Sequence, residues 1–432
     1  MRMIRSISVY FFTFFFNAAI SFLAFSITTY YLDEKELGIV YLYNSTVLLL
    51  VPFISVGAQF VLAIDYFKMP PADYRRHFSN GIMVPLISCA LFTLLFLLLF
   101  YPFQDVVPVN FFFAIVLPLY CFFAVVNDIS TALIRNKEKH LLFSGYSIGR
   151  NVIEIGLTIF FVVAMGLKWE GRLASGLISL GAAAIFSLLL FRAWKLWTNE
   201  SSSREIRQVA TSGLPFVPER LAVFVMAYSA GFFINYYQST EDVGLYGAGM
   251  QIAFIVNVSI VALMSWFHPY IFKNLADVPN IRNLRKAVFL YSGISAFITL
   301  ALILALPVLF QLFIGPKFQG GQVYARFLSL GFFFWSIYGL FVGFLLFKKK
   351  NRQIMFISIL GMLLSLGLNF FNVRQFGALG ATYTSMIVYF IMALVMIVLV
   401  NKQYNLKKLL FSSLKEEGLA INLVHKSSST EL

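Results

Sequence analysis

Five charged residues lie inside stretches of the chain that are otherwise apolar. Arg150 and Glu154 stand four positions apart in one stretch, Glu219 and Arg220 are neighbours in a second, and Asp128 occurs in a third. A guanidinium group can pair with an anion, and a carboxylate can pair with a cation or exchange a proton. Charge within a membrane span costs about 2.5 to 3.5 kcal/mol per residue, so such groups normally face a cavity or a partner.

The spacing of these charges leaves alternatives open. Arg150 and Glu154 share one helix face and could neutralise each other. Glu219 and Arg220 point about 100° apart, so at least one of them faces something other than its neighbour. Either Arg220 lines a cavity or both side chains reach the inner membrane surface. Asp128 is either a proton-exchanging group or a hydrogen-bond partner for a neighbouring helix.

Amide side chains occur at mid-segment depth as well. The candidates for a cavity lining are Asn17, Asn235 and Asn257. The alternative is an interhelical hydrogen bond, which is a common and modest use of amides in membranes.

Three prolines stand where apolar segments would need to bend. Pro215 and Pro218 lie at the start of the seventh segment, and Pro52 lies within the second. Proline removes a backbone donor and leaves a carbonyl group free. These positions are therefore candidate hinges, and a simple helix start is the alternative reading for Pro218.

Several classes of site are excluded by what the sequence lacks. It has no Gly-rich phosphate-binding loop and no His-Glu-x-x-His pattern, and its four His and two Cys are scattered. No cofactor, metal site or catalytic residue is predicted. The longest outer loop, about residues 313–322, leaves little room for the catalytic groups of a membrane-embedded polymerase or ligase.

The elements that carry these residues are membrane spans. The chain is 60% hydrophobic and only 12% charged, which indicates an all-α polytopic membrane protein. Twelve apolar segments are long enough to cross the hydrocarbon core: 7–29, 38–63, 80–101, 109–133, 141–166, 172–192, 213–236, 244–271, 285–312, 324–346, 353–373 and 377–400.

The net charge of +14 reflects topology rather than nucleic-acid binding. If the N-terminus is inside, most Lys and Arg residues fall on the inner side. The outer loops then hold only Lys35, Lys168, Arg172, Lys317, Arg326 and Arg374. The positive-inside rule therefore predicts that both termini are cytoplasmic.

The chain carries a faded internal repeat. The segment from Tyr30 to Gly38 recurs 206 positions later, from Tyr236 to Gly244. Six spans per half make the repeats parallel. We predict an N-terminal lobe over 1–192, a cytoplasmic linker over 193–212, a C-terminal lobe over 213–400 and a cytoplasmic tail over 401–432. Arg150 and Glu154 have no charged counterparts in the repeat, where Phe356 and Leu360 stand.

Several short motifs resemble a known family. They are Gly-Leu-Pro-Phe-Val-Pro at 213–218, Glu-Asp-Val-Gly-Leu-Tyr at 241–246, Trp-Phe-His-Pro at 266–269, Glu-Leu-Gly at 36–38 and Gly-Ala-Leu-Gly-Ala at 377–381. The pattern resembles the polysaccharide-unit (Wzx-type) flippases of the MATE-like superfamily of multidrug, oligosaccharidyl-lipid and polysaccharide exporters. Many relatives carry an Asp-Arg pair late in the seventh helix, where this chain has Ser229, Ala230 and Gly231.

The resemblance implies two six-helix lobes around a central cavity in the bacterial inner membrane. The cargo would be an oligosaccharide linked to undecaprenyl diphosphate, moved to the outer leaflet for O-antigen or another surface polysaccharide. An ion gradient or the membrane potential would drive it. Arg150 and Arg220 would offset desolvation of the diphosphate. Expected partners are membrane lipids and, further along the pathway, a polysaccharide polymerase and a chain-length regulator.

Other functions compete with this one. A MATE-type antiporter of cationic drugs or metabolites would share the fold and would use the acids Asp128, Glu154 and Glu219. A twelve-span facilitator of another class would carry glycines around residues 73–77, where none occurs. Susceptibility of cells to a drug panel separates the antiporter from the flippase.

Overall fold

The structure is a computed structural model that describes residues 2–100, 104, 106–276, 281–404 and 406. All regular elements in these ranges are helices. Most of the predicted tail over 401–432 lies outside the described residues. The first half contains α1 (Arg2–Tyr31), α2 (Glu34–Ser55), α3 (Ala58–Asp65), α4 (Pro71–Gly81), α5 (Met83–Leu98), α6 (Phe111–Asn136), α7 (His140–Thr158) with a π-helical extension (Ile159–Ala164), and α8 (Lys168–Ala193).

The second half continues with shorter and then longer helices. These are α9 (Ser203–Gly213), α10 (Phe216–Tyr228), α11 (Ala230–Tyr237), α12 (Thr240–Ala276), α13 (Ile281–Phe313), a 3₁₀ turn (Pro316–Phe318), α14 (Gly321–Phe347), α15 (Asn351–Phe376) and α16 (Ala378–Tyr404). Within the described ranges, eleven helices are long and apolar enough to span a membrane, and twelve if the bent pair α9 and α10 is one span. The predicted all-α polytopic architecture is confirmed.

The predicted seventh segment, 213–236, is not one continuous helix. It contains the last residue of α9, all of α10 and most of α11. The axes of α9 and α10 meet at an angle of 44°. Pro215 lies in the break between α9 and α10, and Pro218 lies in the first turn of α10, where a missing N–H group leaves no helical bond unmade.

The second segment is also broken, but four residues beyond Pro52. Val56 and Gly57 both have positive φ values, 45° and 72°, and separate α2 from α3. The Val56 N–H group donates to the Pro52 carbonyl oxygen at 3.0 Å, which ends α2. Gly57 packs against the backbone of Gly213 so closely that a Cβ atom on either glycine would overlap the other segment.

The predicted linker over 193–212 is fixed to α4 by polar contacts. The Asn80 side chain donates to the Glu200 carbonyl oxygen at 3.0 Å and accepts from the Ser202 N–H group at 2.8 Å. Arg76 pairs with Glu205 at 2.9 Å. Much of the linker is therefore structured, and its second half forms all of α9 except Gly213.

The described residues group into two compact units, each with its own buried apolar side chains. One comprises Met1–Phe224, Ser239–Leu245 and Phe313–Phe318, and the other comprises Val225–Gln238, Tyr246–Leu312 and Gln319–Leu432. Phe78 and Phe191 are fully buried in the first unit, and Phe267 and Phe344 are fully buried in the second. The lobe boundaries given above stay a prediction.

The repeated segment has the same local structure in both halves. Asp33 caps α2 with a capping box that includes Glu36. At the equivalent positions, the Ser239 hydroxyl accepts from the Asp242 N–H group at 3.1 Å and donates to its carboxylate at 2.8 Å. Side chains of this kind satisfy the free N–H groups of a helix start. The repeat therefore preserves the way in which α2 and α12 begin.

A glycine follows each cap, and the two glycines form a reciprocal contact. Gly38 lies against the carbonyl oxygen of Thr240, and Gly244 lies against the carbonyl oxygen of Glu34. A Cβ atom at either position would overlap that oxygen. Glycine is therefore required at both positions by the close approach of the two backbones.

Candidate functional site

The strongest polar contact within the predicted spans joins α7 and α8. Glu154 Oε1 lies 2.9 Å from Arg172 Nη1, and the two side chains are 23% and 19% exposed. Two hydroxyl groups form hydrogen bonds to the backbone of the paired residues. Thr158 donates to the Glu154 carbonyl oxygen at 2.8 Å, and Ser175 donates to the Arg172 carbonyl oxygen at 2.8 Å. The hydroxyl oxygens of Thr158 and Ser175 are 2.9 Å apart and fully buried, which joins the two helices at this level.

Arg150 is not the ion-pair partner of Glu154, although both occur on one face of α7. Its Nη2 atom donates to the Asn151 side-chain oxygen at 2.7 Å. Within the described residues, no carboxylate oxygen lies within 4.0 Å of its guanidinium group. The intrahelical pair that the sequence allowed is therefore absent, because the guanidinium group of α8 takes the carboxylate instead.

Arg150 lies between two groups of polar residues. Tyr120 interacts electrostatically with Glu154, Arg172 and Arg150. Asp128 lies near enough to Arg220, Arg150 and Arg135 to interact with them electrostatically. Since Arg150 belongs to both sets, it connects the pair of α7 and α8 to the region around Asp128.

Arg220 is held by an aromatic ring. Its guanidinium carbon lies 4.5 Å from the centre of the Phe60 ring, which in turn lies 5.0 Å from the ring of Phe216. A guanidinium group over an aromatic face is stabilised by the ring quadrupole. In the described part of the chain, Arg220 has no carboxylate oxygen within 4.0 Å, and both it and Glu219 are exposed.

The amides predicted for the cavity fall in different places. Asn17 Nδ2 donates to the Ser147 hydroxyl at 2.7 Å, which joins α1 to α7 three residues before Arg150. The Asn17 Oδ1 atom is buried and, within the described residues, has no hydrogen-bond partner. Asn235 and Asn257 are half-buried and belong to the other compact unit.

The first unit therefore contains the predicted residues Arg150, Arg220, Glu154, Glu219, Asp128 and Asn17. Arg172 and Tyr120 join them, and the sequence did not single out either one. Arg172 was assigned to an outer loop because the apolar run starts there, whereas α8 begins four residues earlier at Lys168. The feature of the sequence that indicates the role of Arg172 is Glu154, an acid far inside a span that needs a cationic partner.

The chemistry of this cluster is ionic. No group of three or more His, Cys, Asp and Glu side chains in the described ranges could hold a metal ion. With Glu154 neutralised by Arg172, the guanidinium groups of Arg150 and Arg220 remain without an ion-pair partner among the described residues. The site is suited to binding an anion.

The fold is shared with solved structures of membrane proteins. The structure is similar to the inward-facing conformation of a multidrug resistance MATE family transporter of the MOP superfamily, with 14% identity, 91% of this chain and 95% of that chain covered, and a TM-score of 0.70. It is also similar to the lipid II flippase MurJ in its inward closed conformation, with 13% identity, 99% and 94% coverage, and a TM-score of 0.69. These likenesses establish a MATE-like fold.

The family follows from the sequence itself. Residues 3–275 match the polysaccharide biosynthesis protein family, and the chain belongs to that family. A membrane protein of Haemophilus influenzae, described as uncharacterized, is 29% identical over 136 residues, which are 31% of this chain and 34% of that protein. The match thus spans about a third of that relative. Family and fold together identify a multi-pass membrane protein of the polysaccharide biosynthesis protein family with a MATE-like fold.

Proposed function

We propose that the protein moves an oligosaccharide linked to undecaprenyl diphosphate from the cytoplasmic to the outer leaflet of the bacterial inner membrane, for O-antigen or another surface polysaccharide. The observation that carries this proposal is Arg150, a guanidinium group inside a span with no carboxylate oxygen within 4.0 Å in the described residues. Membership of the chain in the polysaccharide biosynthesis protein family supports a glycan-linked cargo.

The charge of such a cargo suits outward movement. A diphosphate carries about two negative charges, and each is worth about 2.3 kcal/mol per 100 mV of membrane potential. With a negative interior, the potential favours outward movement by about 4.6 kcal/mol per 100 mV. Arg150 and Arg220 would then lower the cost of desolvating the diphosphate in transit, and both termini would be cytoplasmic.

The breaks in the spans supply the bending that alternating access requires. Pro215 lies at the 44° bend between α9 and α10, and Pro52 accepts the hydrogen bond that ends α2. We include Pro52, Pro215 and Pro218 in the proposal as hinge positions. A polymerase and a chain-length regulator would act on the cargo after it has crossed.

The second candidate is an antiporter of cationic drugs or metabolites. The similarity to a multidrug transporter and the acids Asp128, Glu154 and Glu219 favour it. Of these acids, Glu154 is paired with Arg172 at 2.9 Å, which leaves Asp128 and Glu219 for a cationic cargo. The anionic cargo is preferred because the chain belongs to the polysaccharide biosynthesis protein family.

The test is deletion in the native host and complementation with variants. Deletion should abolish the surface polysaccharide and cause lipid-linked repeat units to accumulate on the inner leaflet. Arg150→Ala and Arg220→Ala should each reduce complementation about tenfold, since a hydrogen bond to a charged group contributes about 1.5 to 3 kcal/mol. Arg75→Ala, which removes an exposed guanidinium group at the start of α4, is the matched control.

Two results would count against the proposal. Unchanged surface polysaccharide in the deletion strain would contradict the function itself. Full complementation by both Arg150→Ala and Arg220→Ala at normal protein level would contradict the assigned residues.

A further inference from the structure

The Glu154 carboxylate is bound to the Arg172 guanidinium group at the position that an anionic ligand would take. We propose that Glu154 is a built-in competitor of the anionic group of the cargo, so that binding of the anion displaces Glu154 from Arg172 and re-formation of the ion pair releases the anion. This inference rests on the proposed function for the identity of the anion.

A second guanidinium group, that of Arg150, lies one helical turn from the ion pair of Glu154 and Arg172. Arg150 and Glu154 lie one turn apart on the same face of α7, where Cβ atoms are about 5 to 6 Å apart. Arg172 reaches the same carboxylate from α8, and Tyr120 interacts with all three charges. A diphosphate with about two negative charges would match both guanidinium groups, each of which can form bidentate hydrogen bonds.

Few other charged groups face Glu154 from the elements packed against α7. From α1, Thr13 and Asn17 contact α7, and neither is charged. The π-helical extension is apolar throughout. From α6 come Tyr120 and, near Arg150, Asp128.

The other two charges in the first turn of α8 are engaged. Lys168 pairs with Glu36 at 2.6 Å, and Glu170 accepts from Asn110 at 2.7 Å. Arg172 is therefore the cation that Glu154 holds, and Glu154 is the carboxylate that an anion would displace.

A competitor of this kind would help the protein to release its bound cargo. Two guanidinium groups in a low-dielectric site would hold a diphosphate tightly, and a transporter must bind its cargo weakly enough to let it leave. The carboxylate that returns to Arg172 offsets the loss of the anion, so that the cargo leaves without an unpaired guanidinium group behind it.

The experiment measures binding of farnesyl diphosphate and, separately, of inorganic pyrophosphate to the purified full-length protein in lipid nanodiscs at neutral pH. Glu154→Gln should bind farnesyl diphosphate about tenfold more tightly than wild-type protein does, which corresponds to about 1.4 kcal/mol. Tighter binding of both probes assigns the site to the phosphate groups alone, whereas an effect on farnesyl diphosphate only assigns it to the lipid-linked form; both results support the competition.

Four further variants make the test specific. Arg172→Gln should weaken binding, and adding Glu154→Gln to it should have no further effect, because the contested cation is gone. Arg150→Gln should also weaken binding. Glu170→Gln makes the same change of charge two residues from Arg172 and should leave the dissociation constant unchanged.

The outcomes separate this inference from the proposed function. If Arg150→Gln weakens binding but Glu154→Gln has no effect or weakens it, the competition is wrong and the anion-binding function stands. A Glu154→Gln effect that persists in the Arg172→Gln background also overturns the competition. Absence of farnesyl diphosphate binding to wild-type protein overturns both.

Discussion

The two halves of the chain share a framework but differ in the polar groups of their spans. The first half places Asp128, Arg150, Glu154 and Arg172 within its helices. In the second half, no Asp or Glu occurs between Asp277 and Glu416. Side-chain contacts there join neutral groups, such as the Asn372 amide and the Thr384 hydroxyl at 3.1 Å, or the Ser336 and Ser295 hydroxyls at 2.8 Å.

What the repeat preserves is therefore different from what it has lost. Helix caps and the glycines that follow them recur at the offset of 206, because they fix how α2 and α12 begin and how closely they approach. Leu360 and Ala378 stand at the positions of Glu154 and Arg172. The ion pair of Glu154 and Arg172 therefore has no counterpart in the second half, and this difference can be tested by exchanging residues between the halves.

The largest effect is expected when the ion pair is converted to the residues of the second half. Arg172→Ala alone should reduce the free energy of unfolding by about 1 to 3 kcal/mol, because it leaves the Glu154 carboxylate without its partner. The double variant Glu154→Leu and Arg172→Ala should recover most of that stability, yet its surface polysaccharide should fall to the level of the deletion strain. Thermal unfolding in detergent and complementation provide the two measurements. Full complementation by the double variant would show that the charged half is not where the cargo binds.

The next effect, expected at the reciprocal glycines, is on stability alone. Gly38→Ala and Gly244→Ala should each reduce the free energy of unfolding by about 1 to 3 kcal/mol, because the added methyl group overlaps a carbonyl oxygen. The two losses should be similar, since the contacts are equivalent. Gly293→Ala, at a helical position with nothing within 4 Å of the added Cβ, should be neutral or stabilising. Clearly unequal losses at Gly38 and Gly244 would show that the halves are not equivalent at this contact.

The smallest effect concerns the helix caps. Asp33→Ala and Ser239→Ala should each cost about 1 kcal/mol, because each removes an acceptor from the N–H group of the third helical residue. Asp33→Ala should cost the more, because its capping box also includes Glu36, which pairs with Lys168. Apparent midpoints of thermal unfolding are sufficient to rank the two variants. A larger loss for Ser239→Ala would contradict the role given to Glu36.

The spans were predictable because long apolar runs have few alternatives in a membrane. The breaks within the spans were harder to predict. Pro52 lies in the helix that is interrupted, but the interruption itself is at Val56 and Gly57, where the backbone of another segment approaches. The seventh segment reads as one apolar run although it contains two prolines, and hydropathy does not report its bend.

The ionic contacts were the hardest part to predict. Helical spacing places Arg150 and Glu154 on one face of α7, but it does not show which helix lies beside that face. The partner of Glu154 is Arg172, which the apolar pattern places at the edge of a span. Identifying it required the packing of α7 against α8, which no pattern within a single helix contains.

The reciprocal contact of Gly38 and Gly244 also bears on the origin of the chain. Gly38 meets the residue equivalent to Glu34, and Gly244 meets Glu34 itself, so the same pair of surfaces is used twice. This is the isologous arrangement of a two-fold symmetric dimer. A half-length ancestor would form the contact with a second copy of itself, and one glycine in its gene would have served both sides. Gene fusion then separated the two positions, after which the charges of one half could change while the shared glycines could not.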